Sequence, residues 1–487
     1  VRPLSLLVPL LMCMQGAGAS AANLEEMTVQ ATRTPQPVSA IPGTVTVLDR
    51  ELVALRASIT DDLASVLAAT VPGFAPSSQK LAGRGETLRG RNPLYLIDGV
   101  PQHNALRDGQ RDGHTIDLDF IERIEVVNGS NAVQGVGATG GVVNMVTAAL
   151  ERDQELRTRV RARMTADDEF DADAMAWKGS LQVSQGFERG AVLAGVAIHE
   201  RGLFLDAGGD PVGLYPTQGD LMDSRSVSML LKGEYDIDER RTVSFLINDF
   251  DLERNGDYVP VPGDRALGVP SGTVRGNPAG TVGDPAENDV TTATLGYRER
   301  DLMGGDLDVQ LYAQRYSALF EGGTFGGFFR LTPDGAPFLD QSRIESDKIG
   351  LRTAWNRSFS AAPVDLTLGL DLFRDDSAQV LARSGREWVP ETRFETIAPF
   401  AQAAWTPIES LTLSGGLRVE DATVSVDDYV TIAAANSTPV AGGEPDFTET
   451  LTNLGVIWRF ADNFRLYGAY SEGFTMPDVG RVLRGVN

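Results

Sequence analysis

The chain has 487 residues and a formal net charge of -24, from 43 Lys and Arg against 67 Asp and Glu. That acidic balance excludes a nucleic-acid binder, which needs a basic face to displace counterions from phosphates. A mean hydropathy of -0.13, with no ~20-residue apolar run past the N-terminus, excludes a helical membrane protein. The 1 Cys excludes a disulfide framework and a Cys-based zinc site, and 3 His leave few ligands for a protein-bound metal.

Residues 1–21 read as a secretory signal peptide. Arg2 is the positive start, Leu4 to Met14 is almost wholly apolar, and Ala17-Gly18-Ala19 and Ala19-Ser20-Ala21 are small-residue cleavage sites. The apolar run is too short to span a ~30 Å hydrocarbon core. A short acidic-apolar stretch, Glu25-Glu26-Met27-Thr28-Val29, follows within the segment 22–32.

Residues 33–148 read as a compact α/β unit. Val45 to Leu48 is a short strand. Thr60 or Asp61 caps an apolar helix from Leu63 to Ala69, which Pro72-Gly73 stops. Leu94 to Val100 is a buried strand running into a turn, and Ile121 to Val127 alternates Ile and Val with charge. Gly135-x-Gly137-x-x-Gly140 matches the dinucleotide fingerprint, which requires a helix next. The residues that follow, Gly141 to Thr147, are β-branched and predict a strand, so the motif is read as a glycine-rich connection.

From 149 to 487 the pattern changes to strands of period 2. Leu156, Thr158, Val160, Ala162 and Met164 alternate with Arg157, Arg159, Arg161 and Arg163; Leu366, Leu368, Leu370 and Leu372 alternate with polar residues. About thirteen such strands of about ten residues recur, the length of a tilted bilayer crossing. Short connections (187–190, 237–240, 301–304, 358–363, 406–410, 460–463) alternate with long ones (202–223, 251–289, 318–342, 375–395, 421–446). The predicted fold is therefore an all-β transmembrane barrel with an N-terminal α/β plug in its lumen. A bacterial barrel needs an even strand count and closure, so the barrel is expected to be incomplete at Asn487, as in a fragment.

The order of these parts resembles the TonB-dependent outer-membrane receptors. The stretch 25–29, followed by Ala31-Thr32-Arg33, resembles their TonB box. Three plug motifs match in order: Leu88-Arg89-Gly90-Arg91 leading into Leu96-Ile97-Asp98-Gly99-Val100; Ile121 to Val127 with Gly129; and Gly140 to Thr147. Tyr470-Ser471-Glu472-Gly473-Phe474-x-x-Pro477 in the barrel is also familiar from the family. Gln134, in place of a frequent aromatic, and Asn128-Gly129-Ser130, in place of Arg-Gly-Pro, depart from it. The resemblance implies a full barrel of about 22 strands. Arg89-Gly90-Arg91-x-Pro93, Phe204 to Asp210 and Asn255-Gly256-Asp257-Tyr258 further resemble receptors for hydroxamate and carboxylate siderophores of the aerobactin type.

What the resemblance implies is a monomeric transport receptor in the bacterial outer membrane. Its partners would be TonB, a ferric siderophore and lipid. It would have no cofactor, and iron would arrive only as a chelate. Glu25, Glu26, Met27, Thr28 and Val29 would pair with TonB as an added strand. Ligand contacts are expected from plug apices 77–84 and 101–111 and from outer loops: Gln79, Arg84, Arg107, Arg111 and Tyr258. Guanidinium groups there suit anionic chelate oxygens. His103 and His114 are read as loop residues, and Arg157 to Arg163 as lumen cations that hold the plug. A receptor for vitamin B12 or another chelate would share these motifs. An outer-membrane barrel enzyme would need neither plug nor box, and no nucleophile elbow occurs.

Overall fold

The computed structural model describes residues 27–486 except 84, 108–110, 216–217, 277–282, 322–329, 332–336, 360, 433–435 and 462–463. The predicted signal peptide, Glu25, Glu26 and Arg84 lie outside the described residues.

The first unit starts with a two-residue ladder, β1 (Thr28–Val29) on β2 (Gln36–Pro37). Then come β3 (Val45–Asp49), α1 (Arg50–Ala57), α2 (Leu63–Thr70), β4 (Leu94–Ile97), β5 (Val100–Pro101), β6 (Ile121–Asn128) and β7 (Gly141–Thr147). The last five strands form one mixed sheet in the order β3-β6-β7-β4-β5, with β4 parallel to β7. The β4–β5 hairpin turns on Asp98-Gly99, both at positive φ (43° and 84°), which a two-residue turn of this hand requires and Asp-Gly supplies. The α2 cap is Asp62, whose carboxylate accepts from the Ala64 and Ser65 amides, not Thr60 or Asp61. Helix α1 was not expected from the sequence. Its apolar stripe is thin, with only Val53 and Ala57 buried. Gly140 precedes strand β7, so the Gly135–Gly140 motif is a strand connection, as predicted.

The second unit is a meander of long strands: β8 (Arg157–Thr165), β9 (Ala176–Phe187), β10 (Gly190–Arg201), β11 (Ser224–Asp236) and β12 (Arg241–Arg254). A loop ladder of β13 (Tyr258–Val261) and β14 (Gly272–Arg275) precedes β15 (Glu287–Leu302) and β16 (Gly305–Leu319). The loop pair β17 (Arg330–Leu331) and β18 (Pro337–Phe338) precedes β19 (Ser342–Phe359), β20 (Val364–Leu381), β21 (Arg386–Ile408) and β22 (Leu411–Val426). After the loop pair β23 (Tyr429–Val430) and β24 (Pro439–Val440) come β25 (Asp446–Ala461), β26 (Phe464–Ser471) and a short α3 (Val479–Arg484). Leaving the loop pairs aside, each strand pairs antiparallel with its neighbour in one 13-stranded sheet.

Alternation sets the faces. In β20, Thr367, Asp371, Asp375 and Gln379 are buried toward the plug, whereas Leu368, Leu370 and Leu372 are exposed on the outer face that lipid covers. One expected loop is not a loop. Residues 375–395 continue the β20–β21 ladder, which turns only at 382–385, and β21 reaches 23 residues. Outward charges there, such as the cross-strand pair Asp376–Arg393 at 2.8 Å, give the segment the composition of a loop. They belong instead to the β20–β21 ladder.

The plug sits on the concave side. Its core (Leu48, Val66, Leu67, Ile97, Ile124, Val143) is continuous with inward barrel residues Leu193, Ala197, Leu230 and Leu246. Gly195 makes room for this. A Cβ there would lie 2.7 Å from the Phe120 ring.

Candidate functional site

The segment after the box is tied both to the rest of the plug and to the barrel. The expected docking strand is already in use, because Thr28 and Val29 pair with Pro37 and Gln36, and Val29 is buried. Beyond it, the fully buried Glu125 accepts from the Gln30 amide at 2.8 Å, the Ala31 amide at 2.9 Å and Asn144 Nδ2 at 3.0 Å through one oxygen. Its other oxygen takes Arg123 Nε at 2.8 Å. The Ala31 carbonyl accepts from Gln134 Nε2 at 2.6 Å, and Gln134 in turn accepts from Arg352 of β19. Arg33 pairs with Asp371 of β20, which also takes Arg418 of β22 at 2.7 Å.

These two chains of contacts stand between two spaces on the same wall. A cavity of about 40 Å3 lies beside Pro101, His103 and Phe373 on the apex side. A polar one of about 380 Å3 opens by Gln30, Asp98 and Lys232 near the short-turn end. Gln134 and Arg352 line both.

At the apex, the predicted ligand residues separate. Gln79 is exposed and left-handed (φ 56°), and its carbonyl accepts from the Leu221 amide at 3.3 Å. Lys80 pairs with Asp220 beside it, so this apex is strapped to the β10–β11 loop. Arg107 is buried, at 5% exposure, under the segment that leads into α3. Its Nε is 3.3 Å from Asp478, and its Nη1 reaches Gln379 Oε1 at 3.5 Å, the same oxygen that Arg484 Nη1 approaches at 3.5 Å.

Two more of the expected ligand residues are packed away from solvent in this structure. Arg111 is fully buried, donates to the carbonyls of Glu287, Gln218 and Leu319, and stacks 4.4 Å from the Phe320 ring centroid. Burial pushes it down to about 10. It latches the plug loop to the barrel, since backbone carbonyls of β15, of β16 and of the β10–β11 loop converge on it. The Tyr258 ring is buried among Leu203, Leu214 and Met222, and its hydroxyl accepts from Arg275 at 3.0 Å. It organises the outer loops. Burial and nearby Lys348 push His103 down to about 3, so it is a neutral ring stacked on Phe373. The outer-loop aromatics Phe325 and Phe328 lie outside the described residues.

Two of the four lumen arginines hold the plug, whereas Arg159 reaches Gln182 of β9 at 3.5 Å. Arg161 and Arg163 meet Asp119 at 3.0 and 3.1 Å. They join a buried cluster that the sequence reading did not find: Lys178 of β9 takes Asp61 at 2.7 Å and Asp117 at 2.6 Å. The usable signal was Lys178 itself, on the inward face of an alternating strand, where a cation must find carboxylates.

A plug strapped inside a meander of tilted strands, its first segment tied to both, fits what comparison finds. Residues 37–142 match the family profile "TonB-dependent Receptor Plug Domain", and residues 236–485 match "TonB dependent receptor-like, beta-barrel". The chain belongs to the TonB-dependent receptors.

These receptors are outer-membrane proteins. Among its relatives, the rhizobactin receptor of Rhizobium meliloti (strain 1021) is 26% identical over 495 residues, covering 94% of this chain and 64% of that one. The ferric aerobactin receptor of Klebsiella pneumoniae is 26% identical over 518 residues, 98% of this chain and 68% of that one. The chain thus spans about two thirds of the length of these curated relatives. Two solved structures share the fold. The ferric-catecholate import receptor Fiu of E. coli K12 in its open form has a TM-score of 0.66 at 16% identity, over 91% of this chain and 71% of that one. The unliganded ferric citrate transporter FecA has a TM-score of 0.65 at 18% identity, over 89% and 63%.

Proposed function

We propose that this TonB-dependent receptor binds a ferric siderophore of the hydroxamate–carboxylate class at its outer mouth and imports it with energy delivered through TonB. The observation that carries the reading is the tethering of residues 30–33. Glu125, Gln134 and Arg352, and Arg33 with Asp371, connect the segment beside the box to the plug and to the barrel wall. Tight binding of a scarce chelate moves nothing inward by itself. A pull on residues 25–29 reaches Ala31 and Arg33 first, and breaking their contacts removes the partition between the two cavities. β1 must leave β2 before it can add to a partner's strand.

Ligand contact falls to Gln79, Arg84 and Arg107, with Arg484 beside Arg107 at Gln379. Arg111 and Tyr258 keep the site's shape without touching ligand. The names of the rhizobactin and aerobactin receptors support the siderophore class. The receptor works as a monomer without a cofactor, carries iron only inside the chelate, and catalyses no reaction.

The test is growth and radio-iron uptake on single chelates in cells whose one receptor is this protein, with and without TonB. Uptake of a ferric hydroxamate–carboxylate chelate that requires TonB is expected. Uptake that persists without TonB would reject the mechanism, and growth only on cobalamin would reject the ligand class.

A further inference from the structure

The membrane face of the barrel carries a trough that plug, mouth and box leave unused. It opens beside the β9–β10 turn and strands β11, β12 and β15, has a volume of about 420 Å3, and is walled by Phe187, Tyr235, Val243, Phe245 and Leu295. Alternation decides which way it faces. Leu193 and Leu230 are buried toward the plug, whereas Phe187, Tyr235 and Leu295 are 54, 49 and 57% exposed on the other side.

Residue 233 shapes it. Leu231 and Tyr235 project outward on either side, but Gly233 has no side chain, and its cross-strand partner is Phe245. A Cβ at 233 would lie 2.5 Å from the Phe245 ring. The glycine therefore lets that ring lie against the sheet as a floor instead of standing as a ridge.

The trough's depth in the bilayer follows from the aromatics. Phe187, Tyr235, Phe359, Trp405, Trp458 and Phe460 are exposed and lie within a few residues of the short turns. Such a belt marks the membrane–water boundary. The turn at the trough's mouth is Glu188-Arg189, both exposed at headgroup level. Arg189 lies 5.3 Å from the Tyr235 ring centroid and donates to the Ile237 carbonyl. The nearby rim pairs, Asp238–Arg241 and Arg240–Asp301, leave it without a carboxylate among the described residues. Glu234 is turned inward to Arg152 at 3.0 Å, so Glu188 is the carboxylate left at the mouth.

We propose that this trough holds one phospholipid of the periplasmic leaflet with a primary-amine headgroup. One acyl chain lies along Phe245 and Leu295, the phosphate meets Arg189, and the ammonium meets Glu188. Hydrocarbon surrounds the barrel anyway, so chain burial gains only packing; the headgroup contacts supply the selectivity. Of five guanidinium donors, one serves Ile237 and the others, with no acceptor among the described residues, can take phosphate oxygens. An adjacent cation and anion match a zwitterion, whereas an anionic headgroup meets Glu188 with nothing to offset it.

The measurement is native mass spectrometry of the receptor offered equal amounts of dioleoyl phosphatidylethanolamine, phosphatidylglycerol and phosphatidylcholine. One phosphatidylethanolamine per chain is expected, retained about tenfold over phosphatidylglycerol, as for a single charge-assisted contact. Arg189→Gln and the lipid-facing Leu295→Trp should each lower retention about fivefold or more. Glu188→Gln should erase the preference for ethanolamine over choline. Equal retention of all three lipids, or preference for phosphatidylglycerol, overturns the proposal. So does full retention in Arg189→Gln, which removes no packing and decides the matter if Leu295→Trp fails to fold.

Discussion

Removing the Glu125 carboxylate should free the segment beside the box without unfolding the plug. Two backbone amides, that of the exposed Gln30 and that of the buried Ala31, donate to one Glu125 oxygen at 2.8 and 2.9 Å. A hydrogen bond to a charged group contributes about 1.5–3 kcal/mol, so losing two costs at least about 3 kcal/mol of local stability. At about 1.4 kcal/mol per decade, the Gln30 and Ala31 amides should exchange with deuterium roughly a hundredfold faster in Glu125→Ala. Glu125→Gln keeps one oxygen that can still face both amides, so it should retain most of the protection. The amide of Val47, opposite residue 125 in the β3–β6 ladder, reports on the sheet and should change little. If Gln30 and Ala31 exchange at the wild-type rate in Glu125→Ala while Val47 is unaffected, Glu125 does not hold the segment. The coupling would then have to run through Gln134 with Arg352 and through Arg33 with Asp371.

Further outcomes follow from other parts of the molecule. Thr28→Pro removes a ladder donor and fixes φ, so uptake should vanish while surface binding of the chelate persists; normal uptake would reject the box assignment. Leu368→Arg, on the lipid face, should cost ~2–4 kcal/mol in bilayer refolding titrations, whereas lumen-facing Thr367→Ser, which keeps the hydroxyl on Asn356, should change little. Arg111→Ala strands three backbone carbonyls and should lower plug stability by about 3–5 kcal/mol in urea, with less folded receptor recovered. Burial, followed by Asp62, pushes Glu86 up to about 7 from 4.5. Its raised folded value means that the stability it contributes is whole below pH ~4.5 and is lost as pH rises through ~7, about 3 kcal/mol in all. Glu86→Gln should therefore be more stable than the wild type at pH 8 and indistinguishable at pH 4, by thermal unfolding.

The sequence was most informative where a residue's role depends on its near neighbours. The alternation in β8 and β20, the Asp-Gly turn after β4 and the strand nature of Gly141–Thr147 are local facts, because side-chain direction in a strand has period 2 and a turn needs its own φ values. Order along the chain was also legible, since the plug motifs and the alternating loop lengths lie in the text of the sequence. The fate of each charge was not. Arg107 and Arg111 are four residues apart in one loop and read alike, and both are buried, yet one is held by the side chains of Gln379 and Asp478 and the other by three backbone carbonyls. Those partners come from strands and loops more than 100 residues away. Asp376 and Arg393 looked like loop charges and belong to the β20–β21 ladder. The hold of Glu125 on residues 30 and 31, and the clasp of Asp371 on Arg33, join segments 94 and 338 residues apart. Spacing along the chain cannot encode such contacts. They were decided only when the sheet curved around the plug and brought inward-facing polar groups within hydrogen-bond distance, where low dielectric makes a paired charge stable and an unpaired one costly.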